Sequence, residues 1–223
     1  MTVPYYVPPE QMMKDRAEFA RKGIARGRSI VAVEYVDGIV IVAENPSGSL
    51  QKIGELYDRI AFAGVGKYNE FEALRVAGIR HADLKGYAYA REDVTAKGLA
   101  NAYAQTLGHI FTQEIKPYEV EVMVAEAGRS ADDNRIFRVT YDGTLYADQG
   151  VSAIGGRDEQ LRSRLEASFG PGAPLATALG WARAAFEEEG ADPIPPEAWE
   201  AAVIDRTLGR RGFRRLTVGE IVS

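Results

Sequence analysis

The sequence predicts an α+β fold built as two mostly antiparallel sheets stacked face to face, with a pair of helices on each outer surface and one further helix ahead of them. Three observations lead there. The first is order: strands, two helices, strands, two helices, strands is not the βαβα alternation of a parallel sheet. The second is the stretch from Arg28 to Glu44, where two apolar runs, Ser29 to Tyr35 and Ile39 to Ala43, flank Asp37-Gly38. Val, Ile and Ala fill both alternations of each run, so the hairpin is expected to be covered on both faces and to lie in the middle of a core. The third is size: 223 residues, 46% of them apolar, supply one full core and are short for two. A tail over residues 1–8 and a single domain over 9–223 are therefore expected.

Pro8-Pro9-Glu10 opens a helix, with proline at the first helical position and an acid in the first turn. Met13, Ala17, Ala20 and Ile24 then recur at helical spacing, giving an amphipathic helix over 9–24, ended by Gly23, Gly27 and the basic residues Arg21, Lys22 and Arg26. After the hairpin, Asn45-Pro46-Ser47-Gly48 reads as loop, Leu50 to Leu56 as a short strand carrying Lys52, and Arg59 to Val65 as a further strand closed by Gly64 and Gly66. Two helices follow. One runs from Asn69 with Phe71, Leu74 and Gly78 on one face; the other starts at Thr95, a capping residue, and stops at Lys116-Pro117.

Tyr118 to Ala127 alternates Glu119 and Glu121 against valines, and Ile136 to Tyr141 leads through the turn Asp142-Gly143 to Thr144–Asp148 and then Val151–Ile154. Helices over 158–168 and from Pro174 come next. Strands at Trp199–Asp205 and Phe213–Thr217 follow the proline-rich link Pro193 to Pro196, and Thr217 with Glu220 forms a capping box for a last short helix.

Composition narrows the chemistry. Without cysteine there is no disulfide, thiolate nucleophile or cysteine-bound metal. A formal net charge of −5 gives no general attraction to nucleic acid. The basic cluster Arg206, Arg210, Arg211, Arg214 and Arg215 reads as a solvated hairpin rather than a phosphate patch. No apolar run reaches membrane-spanning length, and residues 1–9 lack a basic stretch followed by an apolar one, so neither membrane nor secretion is expected and the location is cytoplasmic. Gly64-Val65-Gly66-Lys67 fails as a phosphate loop, because position 61 is Ala and Tyr68 follows the lysine. His81 and His109, the only histidines, fall on different helices without a second ligand, and neither metal nor cofactor is expected. In N-terminal-nucleophile hydrolases a hairpin of this kind begins the mature chain with Thr, Ser or Cys. Here Ser29 is the only hydroxyl at its head, and a cut after Arg28 would be needed to free it.

The chain resembles the α subunits of the actinobacterial-type bacterial proteasome core particle. The resemblance rests on Tyr5-Tyr6-Val7-Pro8-Pro9-Glu10-Gln11, Arg21-Lys22-Gly23-Ile24-Ala25-Arg26, Val42-Ala43-Glu44-Asn45-Pro46-Ser47 and Ser49-Leu50-Gln51-Lys52-Ile53 through Arg59. Gly86-Tyr87-Ala88-Tyr89, 99–108 and 116–121 extend it over nearly the whole chain. It implies the four-layer αββα sandwich of N-terminal-nucleophile hydrolases, with an N-terminal helix retained where β subunits shed a propeptide to free a threonine.

By this resemblance the subunit has no catalytic residue. It forms heptameric rings that cap and template rings of β subunits, gates entry of unfolded, pupylated protein, and docks a hexameric AAA ATPase. The implied docking pocket lies between neighbouring subunits and takes the activator's C-terminal carboxylate on Lys52, with Gly66 and Arg21 as further pocket positions. Lys67 departs from the apolar residue found beside that glycine in archaeal relatives. The implied gate is Thr2, Val3, Pro4, Tyr5 and Tyr6. The sequence stops at Ser223, without the long polar tail of some bacterial relatives, so regulation through such a tail is either absent or removed with it. Against this stand a β-type peptidase with Ser29 exposed by loss of residues 1–28, and a binding protein of the same fold that forms no ring.

Overall fold

The computed structural model describes residues 8–187 and 192–222. The hairpin lies inside the first of two five-stranded sheets. Strand β1 (Ile30–Tyr35) pairs with β2 (Gly38–Glu44) on one side and with β8 (Val151–Ile154) on the other, and β9 (Trp199–Asp205) and β10 (Phe213–Arg215) complete the order β10-β9-β2-β1-β8. The second sheet runs β3 (Ile53–Tyr57), β4 (Ile60–Gly66), β5 (Val120–Glu126), β6 (Arg135–Val139), β7 (Leu145–Asp148). Every ladder is antiparallel. All seven residues of β2 are buried, as the double-sided apolar pattern requires.

Three apolar layers hold the stack. Ile30, Ala32, Ile39 and Ile41 of the first sheet meet Ile53, Ala61, Ala63 and Met123 of the second. On the outside of the second sheet, α2 (Tyr68–Ala88) and α3 (Ala96–Gln113) bring Phe71, Leu74, Leu99 and Leu107 onto Phe62, Val122 and Val124. On the outside of the first, α4 (Asp158–Ser168), α5 (Leu175–Phe186) and the short α6 (Val218–Val222) pack on Val31, Val33, Val40 and Val203. The caps read from sequence are made: Thr95 accepts from the Gly98 amide, and Glu220 accepts from the amide and hydroxyl of Thr217.

The remaining helix, α1 (Pro9–Ala25), closes one end of the sandwich. Ala20 and Ile24, with Met13 and Ala17 partly covered, enter the core between the sheets. Its middle is pinned by Arg16, whose guanidinium donates to the carbonyls of Ile110, Glu114 and Ile115, the open C-terminal carbonyls of α3 and the residues after it.

Several boundaries differ from the sequence reading. Gly23 lies inside α1 instead of ending it: a Cβ there would stand 2.3 Å from Glu119 Oε2, so the glycine serves close packing. The hairpin turn is Val36-Asp37, because Tyr35 pairs with Gly38. Gly38 is the first residue of β2, where a Cβ would meet the Ile204 carbonyl at 1.9 Å. Lys52 precedes β3 in a bend.

Glu121 alternates with valines but does not face water. It is buried between the sheets, accepts the Gly155 amide at 2.9 Å, and lies near the Arg138–Asp148 pair, whose N–O distance is 2.5 Å, and near Asp158. Burial pushes its carboxyl up from 4.5 to about 7, against the Gly155 hydrogen bond, which lowers it.

That shift sets a pH dependence. Because the folded pKa lies above the ordinary one, the native chain keeps a proton that the unfolded chain has released between pH 4.5 and about 7. Stability therefore falls as pH rises through that window and stays flat above it. Glu121→Gln, which keeps an oxygen for Gly155 and removes the buried charge, should gain on the order of 2 kcal/mol at pH 8 and lose the advantage near pH 4.5. Thermal denaturation at the two pH values measures it, and a gain independent of pH would contradict the buried-charge account.

Candidate functional site

Where α1 ends and β1 begins, four segments converge on one lysine. Lys52 follows the loop after β2, and its side chain is partly buried under the link between α1 and β1. Its Nζ donates to the Arg28 carbonyl at 2.5 Å and to the Glu44 carbonyl at 3.2 Å. Above it Arg28 Nη1 pairs with Glu44 Oε1 at 3.0 Å. An ammonium has three donors, and two are engaged by the chain's own backbone. Burial pushes the amine down from 10.5 to about 8; the Glu200 and Glu44 carboxylates oppose this, and Arg28 adds to it. At neutral pH the group is therefore still cationic, and it is held by two fixed carbonyls.

The loop carrying the lysine is itself held. Asn45 Nδ2 donates to the Leu50 carbonyl at 2.6 Å and to Glu200 Oε2 at 2.7 Å. The amides of Lys52 and Ile53 donate to the two oxygens of Glu200, each at 3.0 Å. Arg215 reaches Glu200 Oε1 at 3.1 Å and the Ile53 carbonyl at 2.5 Å. Glu200 was not singled out from sequence, because its partners are 148, 147 and 155 residues away and no local pattern marks it.

Gly66 ends β4 at the same end of the fold. It has φ of 106°, and a Cβ would meet the Glu119 carbonyl at 1.9 Å, so only glycine fits. The Gly64 amide donates to the Lys52 carbonyl at 3.1 Å, and a Cβ on Gly27 would stand 2.9 Å from the Gly66 nitrogen. These contacts bring Lys52, Gly66 and the link from α1 together. Arg21 is not part of that group. It lies on the exposed face of α1 with its guanidinium 5.7 Å from the Tyr141 ring centroid, a cation–π contact on the far side of β5 from β4. Lys67 immediately precedes α2, with its ammonium 4.0 Å from Glu70.

Ser29 is buried and joined by its peptide nitrogen to Arg28, whose carbonyl is the one holding Lys52. The gate residues Thr2, Val3, Pro4, Tyr5 and Tyr6 lie outside the described residues. Arg206, Arg211, Arg214 and Arg215 are spent on partners within the chain: Arg206 on the carbonyls of Val36 and Gly128, Arg211 on Glu55, Arg214 on Glu220 and Arg215 on Glu200. Both histidines are exposed, on α2 and α3, and among the described residues no group of three or more His, Asp or Glu is placed to hold a metal.

Residues 24–204 match the family model described as proteasome subunit. Among curated proteins, the chain is 56% identical to a protein named proteasome subunit alpha from Kineococcus radiotolerans, over 97% of this chain and 95% of the relative. It is 55% identical to one of the same name from Thermomonospora curvata, over 99% and 96%. A third, from Streptosporangium roseum, is 54% identical over 97% of this chain and 84% of the relative.

The buried ammonium is directly measurable. In protein carrying 13Cε-labelled lysine, the Lys52 resonance, assigned by its loss in Lys52→Met, should titrate near pH 8. A midpoint near the ordinary lysine value of about 10.4 would put the ammonium in water and dissolve the site as described.

Proposed function

The chain belongs to the proteasome subunit family, and from that membership we propose that it is the non-catalytic α subunit of the core particle, which gates the particle and docks its activator. It assembles with further α subunits and with β subunits, which carry the peptidase chemistry. Its rings are heptameric, sit outside the β rings and template their assembly. Through them unfolded, pupylated protein enters, in the cytoplasm, under a hexameric AAA ATPase. The observation that carries the reading is the Lys52 ammonium bonded to the Arg28 carbonyl, on the link that joins β1 to α1, whose Ala20 and Ile24 are packed into the core. In a peptidase of N-terminal-nucleophile type the residue at the head of the hairpin needs a free amine. Here α1 and its link occupy that end of the sandwich, and the lysine is bonded to the link.

Lys52 then serves as an anion receptor. A half-buried ammonium with two donors spent and one remaining suits a single carboxylate, such as a partner's chain terminus. Each such bond contributes roughly 1.5 to 3 kcal/mol, and repetition around a ring raises the overall affinity through effective concentration. Gly66 enters by its place at the same end of the fold, where the close Glu119 carbonyl leaves no room for a side chain. Arg21 enters only as a flank, being over Tyr141. Residues 2–6 form the gate: a short aromatic and proline-bearing segment, repeated about an axis, excludes substrate by packing against its copies.

Two variants of the assembled α–β particle test the two halves of the proposal. Deleting residues 1–7, which leaves α1 from Pro9, should raise turnover of a small peptide several-fold without changing ring assembly in electron micrographs. Equal rates would place the gate elsewhere. Lys52→Ala should abolish stimulation by the ATPase in particles that still assemble, and Lys52→Arg should restore part of it, because a planar fork does not reproduce a compact ammonium. Full stimulation in Lys52→Ala would end the docking role, and intact mass showing loss of residues 1–28 would favour a peptidase.

A further inference from the structure

Resting on the docking role proposed for Lys52, we propose that Glu200 is its positioning residue: one carboxylate clamps the backbone of the Lys52 loop and sets the place and charge of the ammonium. Glu200 lies on β9 opposite Ala43, next to the Glu44 whose carbonyl receives Lys52 Nζ. Its side chain crosses from the first sheet to the start of β3 in the second. There Oε2 takes the Lys52 amide and Asn45 Nδ2, while Oε1 takes the Ile53 amide and Arg215 Nη1. An ionised carboxylate offers about four acceptor sites, so every one is matched to a donor.

The consequence is rigidity at the residue that matters. Two successive amides bound to the two oxygens of one carboxylate fix the backbone around Lys52, and Asn45 and Arg215 hold the loop on either side. A glutamine offers one oxygen, and its amide group would face donors from the loop, so at least one backbone N–H would lose its partner. The charges facing Lys52 come from Glu200 on β9, Glu44 on β2 and Arg28 in the link to β1, with Arg215 of β10 behind Glu200. Replacing Glu200 by a neutral residue therefore shifts this balance toward repulsion of the ammonium. Displacement and loss of charge then act together on the same donor.

The test uses the assembled α–β particle of full-length chains and a synthetic decapeptide with the C-terminal sequence of the ATPase, as the free acid and as its amide. The readout is the ratio of peptide-stimulated to unstimulated substrate cleavage, measured from pH 6 to 9. The free acid should stimulate the parent up to about pH 8, where Lys52 loses its proton, and the amide should not. Glu200→Gln should weaken the half-saturating peptide concentration by roughly tenfold or more and lose stimulation at a lower pH than the parent. A merely structural role would depress stimulated and unstimulated cleavage together and leave the pH limit in place. If Lys52→Ala is unresponsive while Glu200→Gln matches the parent in ratio and pH limit, the positioning role is refuted and the docking role stands. If Lys52→Ala responds like the parent, the docking role falls, and Glu200 with it. Should Glu200→Gln fail to assemble, Arg215→Gln, which frees one acceptor site on Glu200 Oε1 and the Ile53 carbonyl, should show a smaller loss of the same kind. A parental response from that variant would overturn the proposal.

Discussion

The double-sided burial of the β1–β2 hairpin is the constraint on which the rest of this molecule depends. A strand whose side chains are apolar on both faces needs a cover on each, and both covers are present: the second sheet on one face, α4 and α5 on the other. Once the hairpin occupies that position, its entry point is fixed as well. The segment leading into β1 must emerge at one end of the sandwich, and α1, with Ala20 and Ile24 in the core between the sheets, is the plug at that end. The two carbonyls that hold Lys52 belong to the entry into β1 and the exit from β2. The candidate site is thus built from the mouth of the same hairpin that organises the core.

Periodicity made the layers legible because each layer is a repeated contact. The apolar residues of α1 recur at helical spacing, those of the β1–β2 hairpin fill both alternations of each strand, and the caps at Thr95 and Thr217 depend on residues three apart. What periodicity does not carry is the approach of a distant backbone. Gly23 and Gly38 look like helix-ending and turn residues, yet one accommodates the Glu119 side chain and the other the Ile204 carbonyl. Glu121 looks like the wet face of a strand, and its burial depends on the Gly155 amide arriving from β8. The family resemblance marked Lys52 and Gly66, which the fold does bring together, whereas Arg21 stands over Tyr141. Glu200, which gathers the loop around Lys52, left no mark in its own neighbourhood, since its partners come from three other parts of the chain.

The two buried charges illustrate how one cost is met in two ways. Desolvation is the largest influence on both Glu121 and Lys52, and it moves each toward its neutral form. Glu121 has a single amide and a nearby arginine already engaged by Asp148, so its carboxyl comes to titrate near neutrality. Lys52 has two carbonyl acceptors and two carboxylates near it, and at about 8 it remains a cation at neutral pH. Glu121 is enclosed between the sheets. Lys52 lies at the rim, where a third donor can still meet a partner.

Rim placement, with fixation by its own chain, suits Lys52 to the docking role proposed for it. A surface ammonium is mobile and fully hydrated, and its pairs with carboxylates contribute little because ordering and water both oppose them. At Lys52 part of the desolvation and ordering has been met during folding, by the carbonyls of Arg28 and Glu44 and by the loop clamped on Glu200. An incoming carboxylate finds a donor already aimed and surrounded by less water, which is the general route by which preorganisation raises affinity without new contacts. The same fixation underlies the proposed non-catalytic reading. A catalytic lysine has to respond to a nucleophile at the head of the hairpin, whereas this one is tied to the Arg28 carbonyl, immediately before the only hydroxyl that stands there. In the proposed reading, the link between α1 and β1 makes this end of the sandwich a binding site instead of a cutting site.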